Sequence, residues 1–468
     1  MKKTISITET GHTRPVRPST GSDALQPDKL KVLLVVPRYF STEQWGYIMP
    51  LGTLYVSSAL KRSEVAHVYT LNLNHTEGDC YILLKDTIEN HGIDVIGIGG
   101  ISGQFQEIAP LFRMAKEINP LIITLAGGGL ITSDPENAMK ALETVDYGVI
   151  GEGEITVPEL IEAFTRRFPV DPIPGLIYLK EGNYHRTPPR PDIQDLDRLP
   201  FPDYLSFDYD KYLATNGEVE NGIRYSPVAV IGGRSCKYNC TFCFHPSGSK
   251  YRQRSLDSIF REIDFLTRHF NINYIALREE LFASDSKRVL DFCKRVRTYS
   301  FTWSIQLRVD SVTQEITDAL KASNCRYIFL GIESADNHIL HSMRKHITIE
   351  QVEEALALTI GSGLDTRSTL ILGDENETTE SFYRTLRWWQ KNKKFSSISL
   401  DMIIAFPGST LYKNACKSGK IKDPVRFLKE GCPVINLSRY ISNEAFSDLV
   451  REVSRNNGIS YQIGDYQK

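Results

Sequence analysis

Short apolar runs alternate with amphipathic stretches twice along this chain, and that alternation restricts it to an α/β fold before any motif is read. The first series starts at Lys31 with KVLLVV and continues with a helix near 51–62, VAHVYTLNL and a helix near 81–91. DVIGIGG (94–100), a helix near 106–118, LIITLAGG (121–128), a helix near 135–143, DYGVIGEG (146–153) and a helix near 156–167 follow. Five strands, each followed by a helix, predict a doubly wound, Rossmann-like parallel sheet over residues 30–168. The second series starts at PVAVIGG (227–233) and repeats strand and helix to SISLDMIIA (397–405). Its six units predict a partial (βα)6 barrel over residues 223–420, with the active site at the C-terminal strand ends. Between the two series, residues 169–202 hold eight of the 22 prolines around a hairpin of GLIYLK and YHRTP, so 169–222 reads as a connector. Residues 1–29 lack apolar periodicity and read as a mobile tail. Residues 421–468 form a small C-terminal extension with one helix near 443–455.

The chain's 468 residues are enough for about three such units. With 55 Lys and Arg against 57 Asp and Glu, the formal charge of −2 supplies no general field for phosphate backbones, and no nucleic-acid partner is expected. The longest apolar stretch, 121–131, is interrupted by Thr and glycines and falls well short of the ~20 residues of a membrane helix. Met1-Lys2-Lys3 is followed by polar ISITETGHTRP rather than a signal-peptide core, so a cytoplasmic protein is expected. Eight cysteines are too few for a disulfide framework, and three of them fall within eight positions, which points to a metal in a reducing compartment.

Those three follow the first strand of the second series, in Gly233-Arg234-Ser235-Cys236-Lys237-Tyr238-Asn239-Cys240-Thr241-Phe242-Cys243. Thiolates at this density select zinc or an iron–sulfur cluster, and a closed structural site of either kind takes four protein ligands. The next cysteine, Cys293, lies inside a predicted helix, which leaves one metal corner for an exogenous ligand. The alternative is a Cys3His zinc knuckle using His245, which lies only two residues from Cys243, tighter than usual zinc-ligand spacing.

The C-x3-C-x2-C spacing, with an aromatic residue before its last cysteine and a position after the first strand of a six-unit barrel, resembles the radical S-adenosylmethionine (SAM) enzymes. The resemblance implies a [4Fe-4S] cluster held by Cys236, Cys240 and Cys243, with SAM chelating the fourth iron through its amino and carboxylate groups. Reductive cleavage of the sulfonium then gives methionine and a 5′-deoxyadenosyl radical, and an external reductant of flavodoxin or ferredoxin type is implied. Phe242 is expected against the adenine, and Glu279, Glu280, Arg308 and Glu333, all at strand ends, are the other expected SAM contacts. In the family the second strand often ends Gly-Gly-Glu, and Arg278-Glu279-Glu280 departs from that pattern. Glu333 in GIES equally suits a carboxylate beside a helix N-terminus. Arg252 and Arg254 supply two guanidinia suited to a carboxylate or phosphate of the substrate, or else a solvated pair opening a helix.

A doubly wound unit ahead of such a barrel, joined by Asp195-Leu196-Asp197-Arg198-Leu199-Pro200-Phe201-Pro202, narrows the resemblance to the branch with a cobalamin-binding domain, over about residues 30–415. Glycine clusters at the strand ends would let a bulky cofactor lie against bare backbone. The expected cobalamin contacts are Ser102, Gly127, Gly128, Gly129, Gly151, Glu152 and Gly153, with Tyr39, Trp45 and Tyr47 covering either the corrin face or the sheet edge. No G-x-G-x-x-G follows the first strand, which argues against a dinucleotide. The D-x-H-x-x-G cobalt-ligand motif is also absent: Leu73 replaces its Asp, and His75 is expected to be a surface loop residue. What the resemblance implies is foremost a cobalamin-dependent C-methyltransferase acting on an unactivated carbon of a small-molecule, natural-product or lipid substrate. A cyclase, dehydratase or mutase with a non-methylating or degenerate cobalamin domain is the second reading. A non-catalytic iron–sulfur electron-transfer protein is the third.

Overall fold

The computed structural model describes residues 28–39, 47–248, 250–282 and 285–464; Trp45 and residues 1–27 of the expected tail lie outside them. Strands β1 (Leu30–Val36), β2 (Ala66–Asn72), β3 (Val95–Gly99), β4 (Ile123–Gly127) and β5 (Tyr147–Val149) pair in parallel in the order β2-β1-β3-β4-β5. Helices cover both faces, so central strands are buried on both sides and read as unbroken apolar runs. In β1, Val32, Leu34 and Val36 feed one core while Leu33 and Val35 feed the other. Strand order reverses between β1 and β3, and the crevice of such a sheet opens at that point, beyond the strands' C-terminal ends.

The proline-rich hairpin is not part of the connector. Its strands β6 (Leu176–Lys180) and β7 (Asn183–Arg186) continue the first sheet antiparallel to β5, making seven strands. β6 supplies the hydrogen bonds that the edge of β5 would otherwise leave open. The rest of the connector is a packed layer: Tyr204, Phe207, Tyr209 and Tyr212 are buried, and the Tyr204 hydroxyl donates to Glu262 Oε1 at 2.6 Å. A hairpin of β8 (Glu218–Glu220) and β9 (Ile223–Tyr225) precedes the barrel.

The barrel sheet comprises β10 (Val228–Val230) and, after the short pair β11 (Gly233–Arg234) and β12 (Arg252–Gln253), strands β13 (Tyr274–Leu277), β14 (Thr302–Leu307), β15 (Cys325–Glu333), β16 (Asp365–Leu372) and β17 (Ser397–Met402). The six pair in parallel in sequence order, and β10 and β17 form the two free edges of a partial barrel. Alternate residues divide cleanly. Ile275, Leu277, Trp303, Ile305, Leu307, Ile328 and Leu330 join the main core, and the residues between them face the lumen.

The C-terminal extension ties the two units together. The helix Pro424–Lys429, not anticipated from sequence, packs on Pro135–Leu142 of the first domain, and Lys429 pairs with Glu143. The helix Asn443–Asn457 packs on β17. Among the described residues no helix is long and apolar enough to cross a membrane.

Candidate radical site between the two domains

The cysteine loop leaves β11 through a tight passage: a Cβ at Gly233 would lie 2.9 Å from the Arg252 carbonyl of β12. Backbone bonds from Thr241 to the Met343 carbonyl (3.0 Å) and from Leu411 to the Thr241 carbonyl (2.8 Å) then fix the loop to the fourth and sixth barrel units. Cys240 is buried, and Cys236 and Cys243 are half-buried. The hydrogen bond between Cys240 and Cys243 pulls the Cys240 thiol down, with help from Lys345 and Arg308, and pushes Cys243 up. Thiolate is the form in which cysteine ligates metal. Among the described residues no three His, Cys, Asp or Glu side chains converge as on a single ion. A cube spreads three thiolates over three irons, so its ligands need not converge on one point. His245, the fourth ligand of a zinc knuckle, is engaged at both ring nitrogens, Nδ1 by Glu280 and Nε2 by the Tyr238 carbonyl at 3.2 Å.

Two cations stand beside the loop. The Arg308 guanidinium lies 3.7 Å from the Tyr238 ring centroid and donates to Asp310 Oδ1 (3.0 Å) and to the Lys345 carbonyl (2.9 Å). Lys345 donates to Glu333 Oε1 at 2.6 Å, and both side chains are buried. A Cβ at Gly331 would come within 2.5 Å of that carboxylate oxygen and 2.7 Å of the Lys345 Nζ, so the glycine of GIES is needed to admit the pair. Glu333 is thus held by a lysine and not by a helix end, since the helix Asn337–Ser342 is capped by Asp336. Phe242 is half-buried against the core beneath the loop.

Glu279 is 6 % exposed; its Oε2 accepts from the Gly232 amide at 3.0 Å, while its Oε1 is buried without a partner. Burial pushes this carboxyl up from 4.5 to about 7. An orphaned carboxyl oxygen beside the cysteine loop fits an N–H of the SAM amino group. Glu280 is committed to His245.

Glu279 also lines a cavity of about 470 Å3 between the two domains. Its opposite wall is the glycine edge of the first sheet, and all of Gly127, Gly128, Gly129, Gly151, Glu152 and Gly153 lie on it. Gly128 has φ +76°, and a Cβ there would lie 2.7 Å from the Gly100 carbonyl. At Gly52 and Gly151 a Cβ would meet nothing within 4 Å. The wall is a backbone surface with room at its face, which fits a broad macrocycle such as a corrin. Tyr39 lines it as well, and so do Thr53 and Gln104, which sequence reading missed because neither belongs to a glycine cluster.

Several expected contacts lie elsewhere. Ser102 is buried beneath its turn, with its hydroxyl 3.1 Å from Ser133 Oγ. Tyr47 is buried against Asn72, His75 and Tyr212 and is not among the residues that wall the cavity. His75 is not a free surface residue: it is half-buried, its Nε2 lies 2.7 Å from the Tyr47 hydroxyl, and burial pulls it down to about 4. It too lies off the cavity wall.

Arg252 and Arg254 turn inward. Arg254 pairs with Glu262 and donates to the Ile231 carbonyl at 2.9 Å. Arg252 Nη1 reaches both oxygens of Glu152, at 3.0 and 2.8 Å. Glu152 also accepts from Arg234 Nη1 at 2.6 Å, and Arg234 pairs in addition with Glu154. These four buried charges bind the Gly151–Glu154 turn of the first domain to both strands that flank the cysteine loop. The donors are saturated by protein oxygens, so neither Arg252 nor Arg254 presents an open fork to a substrate.

A two-domain α/β protein with a three-thiolate loop at the mouth of a partial barrel, facing a glycine-walled crevice, is the class that this geometry defines. The radical SAM superfamily model matches residues 230–388, and the B12 binding domain model matches residues 45–161. The chain belongs to the radical SAM superfamily, in the branch that carries a B12-binding domain. It is 28% identical over 371 residues to an uncharacterized methyltransferase of Pyrococcus horikoshii, covering 78% of each chain. It is 27% identical to an anaerobic magnesium-protoporphyrin IX monomethyl ester cyclase of Rubrivivax gelatinosus, over 77% of this chain and 66% of that one. With the hopanoid C-3 methylase of Methylococcus capsulatus it shares 25% identity over 81% of this chain and 71% of that one. Among solved structures, the radical SAM methyltransferase TsrM from Kitasatospora setae, with cobalamin and [4Fe-4S] cluster bound, has the same fold. Its TM-score is 0.68 at 18% identity, over 84% of this chain and 78% of that one. The two matched models make the protein a radical SAM enzyme, with a [4Fe-4S] cluster, SAM and cobalamin as its cofactors.

Proposed function

We propose that the protein is a cobalamin-dependent radical SAM methyltransferase that methylates an unactivated carbon of a small-molecule, natural-product or lipid substrate. The observation that carries this reading is the shared cavity: the glycine edge of the first sheet and the strand ends beside the cysteine loop wall one space. Relatives described as methyltransferases or as a hopanoid methylase span both domains of this chain and support it. When bound, the cofactors supply a radical that activates the substrate carbon and a methyl group for transfer to it.

The residues divide the work. Cys236, Cys240 and Cys243 hold the cluster, and the Lys345–Glu333 and Arg308–Asp310 pairs flank their loop. Glu279 accepts a hydrogen bond from the SAM amino group through its free oxygen, and Phe242 backs the adenine side of the loop. The turns at 127–129 and 151–153 carry the corrin by shape. Glu152 and Glu154, clamped to Arg234 and Arg252, hold that turn at a set distance from the cysteine loop. A small electron carrier of flavodoxin or ferredoxin type supplies the electron in this reading, which suits a cytoplasmic enzyme.

The test is anaerobic turnover of reconstituted enzyme with a metabolite extract. The expected result is 5′-deoxyadenosine and S-adenosylhomocysteine together with a product heavier by one methylene. A modified product formed with no S-adenosylhomocysteine would refute methylation and favour cyclisation, the reading to which the similarity with the anaerobic cyclase points.

A further inference from the structure

The barrel lumen is closed at one end and open at the other. At the closed end the Tyr274 hydroxyl bonds to Ser304 Oγ (2.7 Å) and to the Tyr327 hydroxyl, and Tyr225 and Phe329 pack against this cluster. Below it Arg367 lies 3.9 Å from the Tyr327 ring centroid and donates to Glu218 of the β8–β9 hairpin at 2.6 and 3.0 Å. One layer up, the pairings Ala276↔Ser304 and Gln306↔Phe329 bring Arg278, Gln306 and Phe329 to one level. There Gln306 is exposed, although it sits in a central strand between buried Ile305 and Leu307. A side chain can be exposed at that point only if the lumen is open.

Arg278 occupies the edge of this opening. Its guanidinium lies 5.7 Å from the Phe329 ring centroid, and the residue also lines the interdomain cavity. Among the described residues its side chain has no ion pair and no hydrogen bond, whereas Arg234, Arg252, Arg254, Arg308 and Arg367 each hold a carboxylate. Neither acid beside it pairs with it: Glu280 bonds to His245, and Glu279 turns one oxygen to the Gly232 amide and keeps the other buried and unpartnered. The result is a fixed positive charge without a counter-ion, over an aromatic face, at the junction of the lumen with the cofactor cavity.

We propose that Arg278 anchors a carboxylate of the substrate, whose flat apolar body lies on Phe329 in the barrel, with Gln306 available to a further polar group. The planar guanidinium matches a carboxylate in a two-point fork, and one unpaired positive charge balances one negative charge, not the two of a phosphate monoester. The proposal rests on the methyltransferase reading only in taking the barrel mouth as the substrate site.

The test is binding without turnover. 4-Fluorobenzoate and its neutral isostere 4-fluorobenzamide are titrated into the enzyme loaded with cluster, SAM and cobalamin and followed by 19F NMR, and phenyl phosphate is scored by its displacement of the bound 4-fluorobenzoate signal. The acid is expected to bind at least about tenfold more tightly than the amide, a difference of ~1.4 kcal/mol. That preference is expected to vanish in Arg278→Gln and in Gln306→Glu, which gives the arginine an internal partner, and to survive in part in Arg278→Lys. Equal binding of acid and amide, or a preference that persists in Arg278→Gln, would overturn the proposal. Tighter binding of phenyl phosphate than of the benzoate would assign the anchor to a phosphate, and a loss of SAM affinity in Arg278→Gln would assign it to the cosubstrate; either overturns it. A failure here leaves methyl transfer standing, and a failure to form S-adenosylhomocysteine leaves the anchor standing.

Discussion

On its first-domain side the interdomain cavity has a stretch of bare backbone, at Gly52, Gly127, Gly128 and Gly151, set among side chains such as Tyr39 and Gln104, whereas its barrel side presents Arg278, Glu279 and Glu280. The two walls suit two kinds of ligand. A large uncharged ring gains from close contact over a wide surface, and the absence of side chains lets it approach the sheet edge. A small zwitterionic cosubstrate gains from a few aimed charges in a dry site. Between the walls, the buried set of Arg234, Arg252, Glu152 and Glu154 belongs to both domains.

The contrast can be broken from either side. The largest effect is expected from Cys240→Ala on the barrel side: loss of the reducible cluster and of 5′-deoxyadenosine formation, read by iron content, electron paramagnetic resonance and product analysis. Retention of cobalamin by that variant would show that the two walls bind independently. Next is the clamp. Arg234→Met leaves Glu154 buried without its cation, and breaking such a pair typically costs ~3–5 kcal/mol, measurable by urea unfolding. A loss below about 1 kcal/mol would mean that the carboxylates find other donors or water.

A smaller effect is expected from Glu279. Its carboxyl is raised to about 7, so the folded protein keeps a proton that the unfolded chain releases. This group's contribution to stability therefore falls as pH rises from about 4.5 to about 7 in SAM-free protein, and is level above that range. SAM binds the deprotonated form, so its affinity should rise about tenfold between about pH 6 and about pH 8, and Glu279→Gln should flatten that profile. An unchanged profile in the variant would remove Glu279 from the SAM site. The mildest change is Gly151→Ala on the backbone wall. Gly151 has φ +79°, where an L-residue costs roughly 1–2 kcal/mol, and the new methyl would enter the cavity. Hydroxocobalamin affinity, followed by absorbance, should drop several-fold, and an unchanged affinity would separate that turn from the cofactor.

Much of the site was legible because its signals are local. The three cysteines declare themselves by spacing within eleven residues, 233–243, and the glycine turns sit where strand periodicity says a strand must end. The β6–β7 hairpin was legible as a hairpin but not as a sheet edge, since nothing within it records that β5 needs a partner. Arg252 and Arg254 misled for the same reason. A guanidinium next to a cluster motif looks free in sequence, and only the approach of Glu152, a hundred residues earlier, consumes Arg252.

By itself the sequence determined the two alternating units, the thiolate loop and the glycine edges, because each depends on residues that are neighbours along the chain. The tertiary structure alone decided which charges are spent and which remain. Arg234, Arg252 and Arg254 are saturated, His75 is packed under Tyr47, and Arg278 is left open. Ion pairing depends on distance in space, and no pattern of neighbouring residues states which distant carboxylate folding will bring within reach.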